Sequence, residues 1–255
     1  MTIKRDDLTR FLTELLTPEN YQDYGPNGLQ IEGTETIAKI AFAVSATVQS
    51  AHAAVAQGAQ ALIVHHGLFW RFHGARPLIG PFARRVFPLV RHQINLYGYH
   101  LPLDGHMEIG NAATLAQKIK LQHLEPFGEY QDATTGVQGR LSQPVIAKVL
   151  QKQLEQILDH PVILASPDPD AHIRSLGIIT GGANSQWREA LAAGLDAYVT
   201  GEMSEHDWHE SQEAGIHMFA GGHHATEQFG IQALMAKIAD TFEVECVYLP
   251  CDNPA

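Results

Sequence analysis

Apolar residues along the first half of the chain alternate between short continuous runs and longer helical patterns. The run Ile37–Val44 predicts a buried strand, and residues 47–57 carry an Ala-rich helical pattern that ends at Gly58. Two further runs, Ala61–Val64 and Ile94–Tyr97, have the length of short buried strands. This alternation predicts an α/β fold with a mostly parallel or mixed sheet covered by helices.

The second half repeats this order of patterns. Leu176–Thr180 predicts a strand, residues 185–193 predict a helix that ends at Gly194, and Ala197–Thr200 predicts the next strand. A shift of 136 positions places Gly58 opposite Gly194. The repetition indicates two α/β units of similar layout.

Aligning the first half of the chain with the second places histidines and acidic residues at equivalent positions. The shift of 136 positions places His65-His66 opposite Gly201-Glu202. A shift of 123 positions places residues 97–104 opposite residues 220–227, and each of these segments has a histidine, three residues and then an acid. We therefore interpret the chain as a duplicated unit, with chance alignment as the alternative because the identity is thin.

The predicted division gives an N-terminal repeat, 1–124, and a C-terminal repeat, 125–255, intertwined and without an independent linker. Residues 125–172 hold stretches rich in Pro, Gly, Gln and Ser around one amphipathic helix, Pro144–Leu158. The tract Ser166–Asp170 is typical of a turn or loop.

Composition narrows the classes of function. The 255 residues are 45% apolar and carry a net charge of −11, which argues against a protein that mainly binds nucleic acid. The two cysteines, Cys246 and Cys251, form no disulfide framework. Without a secretory signal or an apolar span, the sequence predicts a cytoplasmic protein. Fifteen histidines are the outlier, and they cluster.

The first histidine cluster, His65-His66, follows an apolar strand and precedes Gly67. Neighbouring side chains on a regular strand point to opposite faces, so both can serve one site only where the strand ends. Active sites of α/β folds lie at such carboxyl ends. The alternative is a pair of loop histidines.

Two acids stand in comparable positions. Asp104 follows the strand that ends near Tyr97, although Asp-Gly turns are common for backbone reasons alone. His223 and Glu227 are four residues apart, which places both on one side of a helix that begins near His224. The alternative for Glu227 is an acid that stabilises the helix dipole.

Together these positions offer three imidazoles and two carboxylates without a thiolate. Such ligands suit zinc, iron, manganese, nickel or cobalt, and they do not choose among them. Five protein ligands exceed the three that a single catalytic metal usually takes. They fit two metal ions about 3.5–4 Å apart.

Five motifs in this order resemble the NIF-three-like (YbgI-like) dinuclear-metal proteins, often labelled GTP cyclohydrolase 1 type 2. The motifs are Asn27-Gly-Leu-Gln30, Val64-His-His-Gly67, His100-Leu-Pro-Leu-Asp104, Gly201-Glu202 and Gly222-His-His-Ala-Thr-Glu227. The resemblance covers nearly the whole chain. It implies two intertwined α/β repeats with mixed sheets, a metal site in the cleft between them, and a toroidal homohexamer.

The resemblance also implies the ligand set, namely His65, His66, Asp104, His223 and Glu227, which hold two divalent metal ions per subunit. Glu227 is the expected bridge. His224 stands where the family often has tyrosine, so it is not counted as a ligand. The long insert that some relatives carry between the halves is missing.

Three residues are candidate proton carriers, namely His100, Glu205 and His209. His100 is the counterpart of His223 and lines the site or is a buried structural histidine. Glu205 and His209 are four residues apart in the sequence. They could form a proton-transfer pair, or they could simply belong to a solvated helix face. Arg71, Arg84 and Arg85 are the positive charges nearest to the first motif and could contact phosphates, but a surface role is favoured for any one of them. The sequence does not settle the role of Arg71 or that of Glu202.

The function expected first is a metal-dependent hydrolase, with GTP as the substrate that the family label implies. Metal-bound hydroxide would open the imidazole ring of guanine, and formate would be released. The alternative is a metal-binding regulatory or scaffold protein without turnover. Binding of nucleic acid ranks last because of the negative charge.

Overall fold

The computed structural model describes residues 1–255, with thirteen strands and ten helices. The strands are β1 (Ile3–Lys4), β2 (Gly28–Ile31), β3 (Thr36–Ile37), β4 (Lys39–Ser45), β5 (Ala61–His66), β6 (Asn95–Gly98), β7 (Leu121–Tyr130), β8 (Ala133–Ile146), β9 (Ile163–Ala165), β10 (His172–Ile178), β11 (Ala197–Thr200), β12 (His217–Ala220) and β13 (Glu245–Tyr248). The helices are α1 (Arg5–Leu16), α2 (Val48–Ala56), α3 (Gly80–Arg91), α4 (Leu101–Asp104), α5 (Asn111–Lys118), α6 (Ala147–Leu158), α7 (Trp187–Ala192), α8 (Glu205–Ala214), α9 (His223–Thr226) and α10 (Gln228–Thr241). None of the helices combines the length and the apolarity that a membrane span requires.

The first compact unit comprises Met1–Leu103 and Ile231–Cys251. Its five-stranded sheet has the order β13-β4-β5-β6-β2, in which β2 is antiparallel to β6 and the other neighbours are parallel. The central strands are buried because helices such as α2 and α3 contribute apolar side chains to the same core. Helix α2 begins at Thr47, whose hydroxyl accepts a hydrogen bond from the amide of Ser50.

The second compact unit comprises Asp104–Gly230 and Asp252–Ala255. Its six-stranded sheet has the order β7-β8-β10-β11-β12-β9. Strands β10, β11 and β12 are parallel, while β8 and β9 run antiparallel to their neighbours β10 and β12. Leu150, Leu154 and Leu158 of α6 are fully or almost fully buried in its main core.

The order of elements is the same in both units. The first runs α1, β2, β4, α2, β5, α3, β6, and the second runs α6, β9, β10, α7, β11, α8, β12, apart from the short strands β1 and β3. In each sheet three neighbouring parallel strands, β4-β5-β6 or β10-β11-β12, lie beside one antiparallel edge strand, β2 or β9. The predicted mixed α/β fold is confirmed, and the shared order supports the duplication. The predicted boundary between residues 124 and 125 lies inside β7.

The structure corrects the sequence prediction in two places. The stretch 125–146, in which the sequence predicted no strand, belongs to the antiparallel hairpin β7–β8, and the predicted helix from Pro144 begins only at Ala147. One face of β7 is largely exposed, so its apolar residues show no continuous run. Gln131 and Asp132 form the hairpin turn, and both have positive φ angles (49° and 67°), as a tight two-residue turn requires.

Candidate metal centre

The end of strand β5 carries His65 and His66, which are the last two residues of the strand instead of the first two beyond it. His65 is fully buried and His66 half-buried, and their ring centroids lie 4.6 Å apart. The Nδ1 atom of His65 lies 3.0 Å from the carbonyl oxygen of Tyr99, and that of His66 lies 3.0 Å from the hydroxyl of Ser45. These contacts hold both rings through Nδ1, so Nε2 is the ligand atom that each ring offers.

A third imidazole of the first unit belongs to the same cluster. His100 follows β6, and its ring centroid lies 5.0 Å from that of His65 and 5.5 Å from that of His66. One potential ligand atom from each of the three rings lies within 4.8 Å of the others. The sequence prediction that His100 lines the histidine pair is consistent with this geometry.

His100 is held by Asp23, a residue that the sequence analysis missed. The Oδ1 atom of Asp23 lies 2.7 Å from Nδ1 of His100, and Oδ2 accepts hydrogen bonds from the amide of Leu101 and the side chain of Asn27, both at 2.9 Å. Burial raises the pKa of Asp23, but hydrogen bonds and the charge of His100 lower it more, so the pKa lies below its usual value. Asp23 therefore remains a carboxylate that orients the imidazole.

The motif Asn27-Gly-Leu-Gln30 supports these histidines without supplying a ligand. The side-chain oxygen of Asn27 accepts a hydrogen bond from the amide of His100 at 2.8 Å. The Oε1 atom of Gln30 accepts one from the amide of Leu68, just beyond the histidine pair, at 2.8 Å. A Cβ atom at Gly67 would lie 2.3 Å from the Gln30 side chain and would push it away from the amide of Leu68. The spacing of Asn27 and Gln30 in the sequence does not indicate this supporting role.

The second unit brings His223 and Glu227 together, as their spacing predicted. His223 begins helix α9, and its Nε2 atom lies 3.1 Å from Oε2 of Glu227, which is 3% exposed. Its Nδ1 atom contacts Oε1 of Glu202. Burial lowers the pKa of His223, but the hydrogen bonds and charges of Glu227 and Glu202 raise it to about 9. Without a metal ion the ring is therefore an imidazolium between two carboxylates.

Glycines allow the backbone of the second unit to approach this pair closely. Gly181 follows β10 with φ +68°, and a Cβ atom there would lie 2.0 Å from Oε1 of Glu227. The amide of Gly181 donates to the hydroxyl of Thr226, which in turn donates to the carbonyl of Gly222. These bonds tie the side chain of Thr226, the residue before Glu227, to the backbone of Gly181 and Gly222.

Asp104, the remaining predicted ligand, is also in the second unit and is buried. Its Oδ1 atom accepts a 2.8 Å hydrogen bond from Asn111 and lies 3.4 Å from the hydroxyl of Thr180. The side-chain oxygen of Asn111 accepts from the amide of Gly230 at 2.7 Å. These bonds hold the carboxylate in a dry environment, where a bound cation would offset its negative charge.

The other candidates lie elsewhere on the surface of their units. Glu205 and His209 of α8 contact each other at 3.2 Å, with 86% and 56% of their side chains exposed. Arg71 is exposed in a short 3₁₀ turn. The amide of His224 donates to the backbone oxygen of Ala255. Glu205 and His209 as proton carriers stay a prediction.

The two units therefore hold complementary donor sets. The first offers His65, His66 and His100, each with Nδ1 engaged by an oxygen, and the second offers Asp104, His223 and Glu227. This chemistry fits divalent transition metals, which bind imidazole and carboxylate ligands. The three histidines of the first unit form a group that could hold a metal ion. The joint five-ligand set stays a prediction.

Comparison with known proteins places the chain among relatives of equal length. Residues 3–254 match the family model described as Duf34/NIF3 (NGG1p interacting factor 3). A protein of Pasteurella multocida (strain Pm70), named "GTP cyclohydrolase 1 type 2 homolog", is 40% identical over 250 residues, 98% of both chains. One of the same name from Neisseria meningitidis serogroup A is 38% identical over 256 residues and all of both chains.

Two solved structures share the whole fold. One is described as "Structural genomics, protein ybgI, unknown function", with a TM-score of 0.92, 37% identity and coverage of 99% of this chain and 100% of that one. The other is TTHA1606 from Thermus thermophilus, with a TM-score of 0.89, 32% identity and the same coverage. With these matches across nearly all of its length, the chain belongs to the DUF34/NIF3 family.

Proposed function

We propose that the protein is a dinuclear metal-dependent hydrolase whose two divalent cations are bound by His65, His66, Asp104, His223 and Glu227. The observation that carries the proposal is the fixed orientation of the histidines. Nδ1 of His65, His66 and His223 is engaged by a carbonyl, a hydroxyl and a carboxylate, respectively. Metal-binding histidines typically donate their second ring nitrogen in this way.

The proposed substrate is a purine nucleotide, with GTP favoured by the names of the curated relatives. A metal pair, when bound, lowers the pKa of water to about 7 and so supplies hydroxide at neutral pH. Addition of water at C8 of guanine would break the bond between C8 and N9, and a second water would release C8 as formate. Both steps need a group that gives a proton to the departing nitrogen.

His100 is the residue that we assign to this proton transfer. Its Nδ1 atom is fixed 2.7 Å from the buried carboxylate of Asp23, which orients the ring so that its other nitrogen is the one that exchanges protons. Glu202 orients His223, and Glu227 is the carboxylate proposed to bridge the metals. Glu205 and His209, which lie 3.2 Å apart with exposed side chains, remain a second proposed pair.

The alternative function is a metal-binding regulatory or scaffold protein without turnover. The family description, NGG1p interacting factor 3, names a protein interaction and favours this alternative. A toroidal homohexamer is compatible with either function and is itself a proposal. Sedimentation velocity of the purified protein would test it, with a single species of about six chain masses as the expected result.

Metal analysis followed by a substrate assay tests the proposed function. The wild-type protein should retain about two divalent ions per chain and release formate from GTP. His65→Ala and Glu227→Ala should lose metal and turnover, whereas His52→Ala, an exposed histidine of α2, should change neither. A metal-loaded protein that turns over neither GTP, other nucleotides nor simple phosphoesters would favour the scaffold alternative.

A further inference from the structure

The charge of the chain is unevenly distributed along the sequence. Residues 36–103 contain one lysine and five arginines and not a single aspartate or glutamate, whereas the whole chain has a net charge of −11. This acid-free segment includes strand β5, helix α3 and the loop between them. The unit as a whole has equal numbers of basic and acidic residues, but the five arginines of this segment lie on the same unit as the histidine cluster and attract anions locally.

A series of aromatic rings leads from the histidines to the exposed loop after β5. The centroid of the Trp70 ring lies 5.1 Å from that of His100, in an edge-to-face arrangement, and 6.0 Å from that of His66. On its other side Trp70 stacks with Phe72, at 5.8 Å between centroids and 18° between ring planes. Phe72 is 70% exposed, an unusual state for a large apolar ring.

The loop that carries these rings is fixed by the backbone. The amide of Arg71 donates to the carbonyl of Tyr24 at 2.8 Å, and a Cβ atom on Gly25 would lie 2.3 Å from the carbonyl oxygen of Phe69. A narrow cleft beside Trp70 has three glycines, Gly25, Gly67 and Gly98, among its lining residues, and it reaches His65 and His100. The exposed aromatic surface is thus preorganised for a rigid, flat ligand.

Cationic groups flank this aromatic surface. Arg71 is exposed between Trp70 and Phe72 in sequence. Arg76 contacts the His73 ring nitrogen at 3.1 Å and lies 4.1 Å from the centroid of the Phe82 ring. Guanidinium groups bind phosphate oxygens in a bidentate manner, so an exposed arginine beside the aromatic rings could contact the phosphates of a ligand stacked there.

We propose that Trp70 and Phe72 form the stacking surface for the planar base of a nucleotide, with Arg71 as a contact of its phosphates. This assigns the substrate class of the proposed function, on which it rests, from the residues beside the histidine cluster. Base–aromatic stacking tolerates any base, so the surface selects a nucleotide over a non-aromatic phosphoester without choosing guanine. The competing role for Phe72 is a contact between copies of the chain.

Binding of GTP and ATP to the full-length protein tests the proposal, measured by calorimetry with the metal it carries and again after chelation. Phe72→Ala should weaken both nucleotides about tenfold, as loss of one stacking contact implies. Phe87→Ala is the matched control, since Phe87 is another exposed phenylalanine of the same unit, and it should bind as wild type. Arg71→Gln should weaken GTP and inorganic triphosphate but not guanosine.

Equal affinities of Phe72→Ala and Phe87→Ala would overturn the proposal. So would a Phe72→Ala protein that changes its sedimentation coefficient but keeps its nucleotide affinity, because Phe72 would then be a subunit contact. The same measurements distinguish failure of this proposal from failure of the proposed function. Nucleotide binding that depends on Phe72 without any turnover would support the stacking surface alone, and turnover with an unchanged KM in Phe72→Ala would support only the hydrolase.

Discussion

The ends of strands β5 and β11 occupy equivalent places in two sheets of the same strand order, yet they carry opposite chemistry. Strand β5 ends with His65 and His66 inside a segment without acids, whereas β11 is followed by Gly201 and Glu202. In both units the next strand leads to a histidine, His100 or His223. The shared topology determines where functional side chains stand, and the residue type at each place determines which ligand atoms the unit offers.

The two histidines also differ in the carboxylate that holds them. Asp23, beside His100, has only 2% of its side chain exposed and accepts several hydrogen bonds, whereas Glu202, beside His223, is 50% exposed. A hydrogen bond to a carboxylate contributes more where water is excluded than at an exposed site. We therefore expect the contact of Asp23 with His100 to contribute to the free energy of unfolding. The contact of Glu202 with His223 should mainly affect the protonation of His223.

The largest expected effect comes from Asp23→Asn. The amide would remove a buried charge that is bonded to His100, Leu101 and Asn27, and we expect a loss of about 3 kcal/mol in the free energy of unfolding. Glu202→Gln is the matched control and should cost less than about 1 kcal/mol. Urea unfolding of the metal-free proteins measures both, and equal losses would break the distinction between the two contacts.

The next effect comes from the glycine beside Glu227. Gly181 and Gly194 have nearly the same positive φ angle, 68° and 69°, but only at Gly194 would an added Cβ atom meet open space. Gly194→Ala should cost about 1 kcal/mol from backbone strain alone. Gly181→Ala should cost more and also reduce metal content, since its Cβ would displace Glu227. Metal analysis of both variants shows whether the contact governs the ligand.

A smaller effect concerns pH. The pKa of His223 in the metal-free protein is raised to about 9 from 6.5, so the stability that its protonation contributes is present below pH 6.5 and is lost as the pH rises through 9. Asp23, with its lowered pKa, contributes in the opposite sense, above its unfolded pKa and less as the pH falls. Histidine NMR titration should show His223 titrating near 9, and lower in Glu202→Gln.

Because a metal ion competes with the proton on His223, metal uptake at pH 7.5 should release protons and strengthen as the pH rises toward 9. Proton release measured in weakly buffered solution checks this. Uptake without any release at this pH would show that His223 is already neutral, in conflict with its position between two carboxylates.

The smallest effect is expected at the exposed pair of α8. His209→Ala should change the free energy of unfolding by about 0.3 kcal/mol, as an exposed pair four residues apart on a helix does. It should leave metal content unchanged. A large fall in turnover with metal retained would instead establish the predicted proton-transfer role of Glu205 and His209.

Much of the fold follows from local pattern. The predicted strand Ala197–Thr200 has the same bounds in the structure. A short apolar run between Gly194 and Gly201 is too short for a helix and is typical of a buried strand. The β7–β8 hairpin was missed, since a half-exposed ribbon shows neither continuous apolar residues nor helical spacing.

The candidate site was predictable only where histidine and acidic residues occur at a spacing typical of metal ligands. The spacing of His223 and Glu227 predicted their contact, and the structure confirms it. Asp23 and Gln30 carry no such signal, because they act through backbone amides of residues 38 to 78 positions away. Only the folded chain brings these groups together.

Strand β13 has a consequence for the order in which the protein can be made. It pairs in parallel with β4 from the far end of the sequence, Glu245 opposite Lys39, and so covers an edge of the first sheet. At ribosomal rates of about 5–20 residues per second, roughly 10–40 s pass between emergence of the two strands. Throughout that interval the nascent chain exposes an open β edge, on which another strand can pair wrongly.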